Sequence, residues 1–178
     1  MRRLMYLWLV RGQFWAIAGL LLIGMGGRLL PHPPNFTPLE ALALFSGAWI
    51  RPLWAALVVP LSVMALTDVL LGWHPLWPFT WGSMLVGVLL GRRWLKPGSW
   101  RSAAGLGLSQ SLLFFLITNF GVWLQGYYGY TAAGLMACYA AAIPFFHYQV
   151  LGALTYTTIG WLVERYLLAI WRVRVSAS

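Results

Sequence analysis

Six apolar stretches follow one another along this chain, and laid out as membrane spans they put eleven of its twelve Lys and Arg residues on one face. Arg2, Arg3 and Arg11 fall with the N-terminus, and Arg51 falls in one loop. Arg92, Arg93, Lys96 and Arg101 fall in another, and Arg165, Arg172 and Arg174 with the C-terminus. Arg28 alone lies on the opposite side. Cytoplasmic segments retain Lys and Arg, so this reading makes the basic face cytoplasmic and gives both termini to it.

Composition leads the same way. With 61% hydrophobic and 8% charged residues, a chain of 178 residues has too few polar groups to coat a soluble globule, so lipid must solvate most of its surface. Crossing roughly 30 Å of hydrocarbon takes about 20 helical residues, and six such spans leave no room for a soluble domain. The expectation is one transmembrane domain over residues 1–178. The net charge of +9 does not indicate nucleic acid, because the basic residues flank apolar spans and form no stripe. Anionic lipid headgroups are their expected partners. The start MRRLMYLWLV resembles a signal peptide, but Arg11 interrupts the apolar run and the run continues beyond it, which reads as an uncleaved first helix. The single cysteine, Cys138, excludes an intrachain disulfide.

Prolines and glycines punctuate the spans. Helix one is expected over about Phe14 to Leu30, stopped by the proline-rich outer loop from Pro31 to Pro38. Thr37 with Glu40 three residues on forms the pattern of a capping box for helix two, with Pro38 at the first helical position. That helix runs to Arg51 and is short for a full crossing. Helix three should occupy Pro52 to Leu71, helix four Pro78 to Leu95, helix five Trp100 to Leu124 and helix six Phe145 to Trp171. Between the last two, Gln125 to Pro144 is apolar but interrupted by Gly126, Gly129, Gly134 and Pro144. A short interfacial or re-entrant helix, Ala132 to Ile143, is expected there, either as a lid over an outward-facing pocket or as a seal on the bundle. Gly12 with Ala16 and Gly87 with Gly91 have the spacing of close helix contacts.

This topology gathers the rare polar groups near the outer side: His32, Asn35, Asp68, His74, Asn119, Cys138 and His147. A carboxylate inside a span costs up to about 3 kcal/mol on insertion scales, so Asp68 needs a partner or a role. Arg28 is the obvious partner, in a pair that would lock helices one and three. His74 sits in an aromatic loop with Trp73 and Trp77, where an imidazole could face a ligand or a metal within a cofactor. Asn119, inside an aromatic helix, must bond a neighbouring helix or a substrate. Tyr139 and the many tryptophans suit a flat organic ligand, and also suit an interfacial belt. Glu164 beside Arg165 reads as an interfacial ion pair at the basic end.

An enzyme is not expected. Six-helix membrane proteases use a serine and a histidine, but Gly107-Leu108-Ser109-Gln110-Ser111 lacks the glycine such a motif carries after its serine. Ser109 also lies in the cytoplasmic half of helix five, about 15 Å in depth from a His147 that starts helix six. There is no HExxH, no paired carboxylate motif and no P-loop.

Three blocks carry a resemblance: Pro33-Pro34-Asn35-Phe36-Thr37-Pro38, Leu116-Ile117-Thr118-Asn119-Phe120-Gly121-Val122-Trp123, and Cys138-Tyr139-Ala140-Ala141-Ala142-Ile143-Pro144-Phe145-Phe146. The chain resembles, from Arg28 to Gly160, a family of small bacterial membrane proteins regarded as transport proteins similar to the substrate-binding S components of energy-coupling-factor vitamin transporters. The resemblance implies an all-α, six-helix S-component-like bundle in the bacterial inner membrane, with a substrate pocket at its outer face. By analogy with cobalamin-specific S-component-like proteins, it implies His74, then Cys138, as an axial ligand to a cofactor metal carried by the substrate. No resident cofactor is expected. The chain lacks an Ala-xxx-Ala motif on helix one, so the need for an ATPase module as energising partner is open. The expected function is capture of a vitamin-sized solute, first of all cobalamin, for uptake. Asn35, Asp68, Trp73, His74, Trp77, Asn119, Tyr139 and His147 are the candidate contacts. The alternative is a non-catalytic accessory subunit of a membrane complex.

Overall fold

The structure, a computed structural model, describes residues 2–176, with side chains described for residues 12–169. The expectations that rest on Arg2, Arg3, Arg11, Arg172 and Arg174 lie outside the described side chains. Six helices make up the described chain: α1 (Arg2–Leu29), α2 (Leu39–Trp49), α3 (Leu53–Leu71), α4 (Trp77–Trp94), α5 (Trp100–Leu124) and α6 (Ala132–Ser176). Segments Gly12–Leu29, Leu53–Leu71, Trp100–Leu124 and Ala132–Ala169 are long and apolar enough to cross a membrane. Large apolar side chains coat the outside, among them Trp15, Leu22, Trp54, Val69 and Met136, each more than two-thirds exposed. A surface of this kind on an all-helical protein is membrane-like.

The short α2 is the centre of the fold. Residues Leu39 to Gly47 are buried without interruption, and every other helix touches it. Its closest neighbour is α4, and small residues explain why. A side chain at Gly47 would run into the backbone at Val88, and one at Gly91 into the backbone at Leu44. The Gly87 and Gly91 spacing therefore does make a close helix contact, with Gly47 completing it from the other side. Gly12, by contrast, faces open space.

Helix two was expected to begin on a Thr37–Glu40 capping box, and it does not. Pro38 occupies the cap position and no side chain caps the helix. Glu40 is instead drawn inward, because the start of α2 is enclosed by its neighbours. At the other end, the Arg92 guanidinium donates to the carbonyls of Ile50 (3.2 Å) and Arg51 (2.5 Å), closing the turn between α2 and α3.

The second difference lies in α6. Ala132 to Ile143 is not a separate short helix; it forms the first three turns of one continuous helix with Pro144 inside it. A proline removes one helical donor, which a membrane helix tolerates where neighbours support the backbone. Here α5 is that neighbour. Tyr139 Oη donates to the Leu116 carbonyl (2.6 Å), and Gln149 Nε2 donates to the Ser111 carbonyl (2.9 Å). Trp100 Nε1 donates to Thr158 Oγ1 (3.1 Å). These contacts run in antiparallel order along the pair.

A third consequence follows from the same register. Gly152 of α6 packs against the backbone of Phe36 and Thr37, Gly160 against the Phe45 ring, and Glu164 against Trp49. The proline-rich loop and the start of α2 thus enter the bundle beside the middle of α6, at the level of Ser111. Beyond that level α5 continues for about 13 residues, roughly 20 Å. What read as a peripheral outer loop is exposed from Pro33 to Asn35 but packs against α1 and α6 at its end, from Phe36 to Pro38.

Candidate functional site

At the Arg28 end, α1, α3 and α4 converge on one carboxylate. Asp68 is fully buried. Its Oδ1 faces Arg28 Nη1 at 2.7 Å, as an ion pair without the alignment of a hydrogen bond. Its Oδ2 accepts from the indole of Trp81 at 2.9 Å and lies 3.7 Å from His74 Nε2. Arg28 Nη1 also donates to Thr67 Oγ1 (2.6 Å) and touches Met64 Sδ (3.5 Å). The expected pair locking the first and third helices is present, with two further groups around it.

Three indoles roof this cluster. Trp73, Trp77 and Trp81 have ring centroids 5.5 to 5.9 Å apart, in tilted and edge-on arrangements. Their spacing has a simple cause: Trp77 and Trp81 are four residues apart on α4 and share a face, while Trp73 comes from the turn after Gly72. Gly72 holds a φ of 108°, which ends α3 and lets the chain double back over Asp68. Trp73 and Trp77 remain exposed and His74 is one-third exposed. The result is a buried ion pair beneath a partly open aromatic and imidazole rim. Such a rim can stack on a planar ring and donate or accept one hydrogen bond.

Asp68, Trp73, His74 and Trp77 therefore come together, with Arg28, Thr67 and Trp81 added. A second group forms between α5 and α6. The Cys138 thiol is buried and donates to the Asn119 carbonyl (3.4 Å), while Tyr139 bonds Leu116. Asn119 was expected to bond another helix or a substrate. Its amide instead donates to Phe115 O of its own helix (2.8 Å), the back-bond that short polar side chains make to the preceding turn. Phe79 stands between the two groups, its ring filling the notch at Gly121. Asn35 is exposed in its loop with φ 64°, a left-handed geometry that asparagine tolerates. Among the described residues no set of three or more His, Cys, Asp or Glu side chains could hold a metal ion.

His147 needs a correction. Because α6 starts at Ala132, His147 lies within that helix and near the level of Ser111, so the expected depth separation from Ser109 does not hold. The two still form no nucleophile and base pair: Ser109 Oγ donates to the Gly105 carbonyl (2.9 Å), and the exposed His147 ring lies against Tyr148 at 4.0 Å. Glu164 also differs from expectation. It accepts from Trp49 Nε1 (3.1 Å) and the Gly98 amide (2.7 Å), and is not paired with Arg165 among the described contacts. Trp161 Nε1 donates to the Gly98 carbonyl (2.9 Å), so this end is stitched by α2, α6 and the α4–α5 turn. A cavity of about 210 Å³ lies here too, lined by Pro97, Gly98, Arg165, Leu168 and Ala169, far from the Asp68 cluster.

Sequence reasoning missed Thr67, Trp81 and a third polar group, Glu40 with Gln110, Ser111 and Gln149, all buried. The glutamines carried a readable signal, since each is an amide inside an apolar run, as Asn119 is. Trp81 carried only its four-residue spacing from Trp77.

An all-helical bundle with a membrane-like surface and an ion pair beneath an aromatic rim is the class defined so far. The chain belongs to the family of unknown function DUF6580, whose model matches residues 10–171. No curated protein and no solved structure matches it.

Proposed function

We propose that this protein is a multi-pass carrier of the bacterial inner membrane, with both termini cytoplasmic, that captures a vitamin-sized solute at its outer face for uptake. One observation carries the reading: a buried Arg28–Asp68 pair, held by Trp81, lies under an open rim of Trp73, His74 and Trp77. A membrane helix retains such a carboxylate at a cost, and the rim above it presents the stacking surfaces and the single imidazole that a flat, amphipathic ligand needs. Asn35 is a further contact on the neighbouring loop. Asn119, Tyr139 and Cys138 hold α5 to α6 and shape the wall.

The S-component-like reading rests on the sequence blocks, and cobalamin is the first ligand to test, with His74 as the group that would approach its cobalt. Energy would come from reorientation of the carrier, alone or with an ATPase module. Native mass spectrometry of gently purified protein, incubated with a panel of vitamins, is the test. A retained small molecule, lost in both His74→Ala and Asp68→Asn while each variant stays folded, is the expected result. A protein that stays empty with the whole panel and co-purifies with a stoichiometric protein partner would overturn it in favour of an accessory subunit.

A further inference from the structure

We propose that Glu40, with Ser111, Gln149 and Gln110, forms a second site, which binds a monovalent cation, a proton or Na⁺, at mid-height in the bundle. Only its use in driving transport rests on the function proposed above; its occupancy does not.

Glu40 is 2% exposed, in the first turn of the central α2. Its neighbours are polar but not basic. Gln149 of α6 contacts its carboxyl group and donates to the Ser111 carbonyl of α5 (2.9 Å). Gln110, beside Ser111, donates to the carbonyl and hydroxyl of Ser83 on α4 (2.8 and 3.3 Å). Its carboxamide packs against Gly87 next to Ala43, one turn along α2 from Glu40. The titratable groups on the helices around Glu40 are few. From α1 and α3 come Arg28 and Asp68, paired with each other; from α6 come Tyr156, whose ring packs on Phe36, and His147 and Tyr148, which are exposed and pack on each other. Neither α4 nor α5 brings a charged side chain to this level.

Of the four buried side-chain oxygens without a hydrogen-bond partner among the described residues, Asp68 Oδ1 has its ion pair with Arg28, and the other three are Glu40 Oε2, Ser111 Oγ and Gln110 Oε1. Glu40 is tied to Gln149, whose amide bonds the backbone of Ser111, and the Gln110 carboxamide, one residue along α5, sits against Ala43 on the same helix as Glu40. A bare carboxylate in such surroundings is strongly disfavoured, and unpaired acceptors add to the penalty. A small cation removes the deficit at once. A proton on Oε2 neutralises the carboxyl group and turns it into a donor, while Na⁺ draws on oxygen lone pairs of the kind left free here. The position suits coupling, since membrane carriers place ion sites near mid-depth, where short or broken helices begin. The start of α2 beside Gly152 is such a place.

The chain has only two glutamates, Glu40 and Glu164, so infrared spectroscopy of the full-length protein with isotope-labelled glutamate isolates them. The protein is measured in sodium-free buffer at neutral pH and then with added NaCl, beside Glu40→Gln and Glu164→Gln. The expected result is a protonated-carboxyl band that survives in Glu164→Gln and disappears in Glu40→Gln. Loss of that band on adding Na⁺, with a rise in thermal midpoint absent from Glu40→Gln, assigns the site to sodium and proton in competition. A band indifferent to Na⁺ assigns it to the proton alone. Should Glu40→Gln not fold, Glu164→Gln and the labelled wild type still give the assignment. A fully ionised Glu40 in sodium-free buffer, unchanged by Na⁺, would overturn the proposal. No transported substrate enters this experiment, so an empty cation site and a failed carrier reading give separate results.

Discussion

At the residue scale, the buried Arg28–Asp68 pair locks α1 to α3. Asp68 is sealed from solvent and Arg28 nearly so, which makes the loss of one partner far costlier than the loss of both. Asp68→Ala leaves the guanidinium with Thr67 and Met64 and is expected to cost about 3–5 kcal/mol. Asp68→Asn keeps an acceptor for Trp81 and should cost less. The double change Arg28→Met with Asp68→Leu should recover most of the stability, because a buried ion pair and an apolar pair of similar size are often equivalent. Thermal unfolding in detergent, followed by tryptophan fluorescence, orders the variants. A double variant no more stable than Asp68→Ala would show that the cost lies elsewhere. Glu164 tests the opposite end. Glu164→Gln retains an acceptor but surrenders charge on bonds to Trp49 and Gly98, and should lower stability by about 1–2 kcal/mol, as expected for a hydrogen bond to a charged group. The first pair was legible in the sequence because Arg28 was the one cation on the opposite face and Asp68 the acid that the span layout put on that same side. Glu40 was not, since its place three residues after Thr37 matches a capping box, and only the enclosure of α2 shows that the carboxyl turns inward.

At the element scale, glycine sorts the helix contacts. Gly47 and Gly91 sit where α2 and α4 touch backbone to backbone, and Gly91→Ala must push the helices apart. Overpacking a tight site costs about 1–3 kcal/mol and more where backbone is the obstacle. Gly105 on α5 faces open space, so Gly105→Ala should be neutral, or stabilising by up to about 1 kcal/mol through helix propensity. Measuring both by the same unfolding assay separates contact from propensity; equal effects would refute the α2–α4 contact. The sequence reading placed α3, α4 and α5 within a residue or so of their observed ends, because Pro52, Gly72, Pro78 and the Lys96-Pro97-Gly98-Ser99 turn are local signals. It failed at Pro144. A proline inside an apolar run looks like a break when the run stands alone, and only the partner helix, through Tyr139 and Gln149, supplies the support that keeps α6 continuous. That support is tertiary, and no local pattern encodes it.

At the scale of the whole molecule, the charge asymmetry and the buried start of α2 make opposite demands on access from the two sides of a membrane. Lys96 lies in the turn between α4 and α5 with the basic cluster, whereas Asn35 lies in the loop between α1 and α2 at the Arg28 end. If the basic end is cytoplasmic, a thiol at position 96 is out of reach of a membrane-impermeant maleimide in intact cells, and one at position 35 is within reach. Cys138, the only native thiol, is buried between α5 and α6, and replacing it by Ser gives a clean background. In that background Asn35→Cys should label in intact cells, and Lys96→Cys only after permeabilisation. The reverse pattern would invert the topology and move the Asp68 rim to the cytoplasm, turning a capture site for uptake into one that loads from inside. The extent of labelling at position 35 adds a finer test. The loop packs on α6 at Gly152, so a solute bound against the exposed Asn35 would lie beside the middle of that helix. A vitamin-sized solute bound against that loop would slow the reaction at position 35 and leave position 96 unaffected, which makes the same thiol a reporter of both sidedness and occupancy.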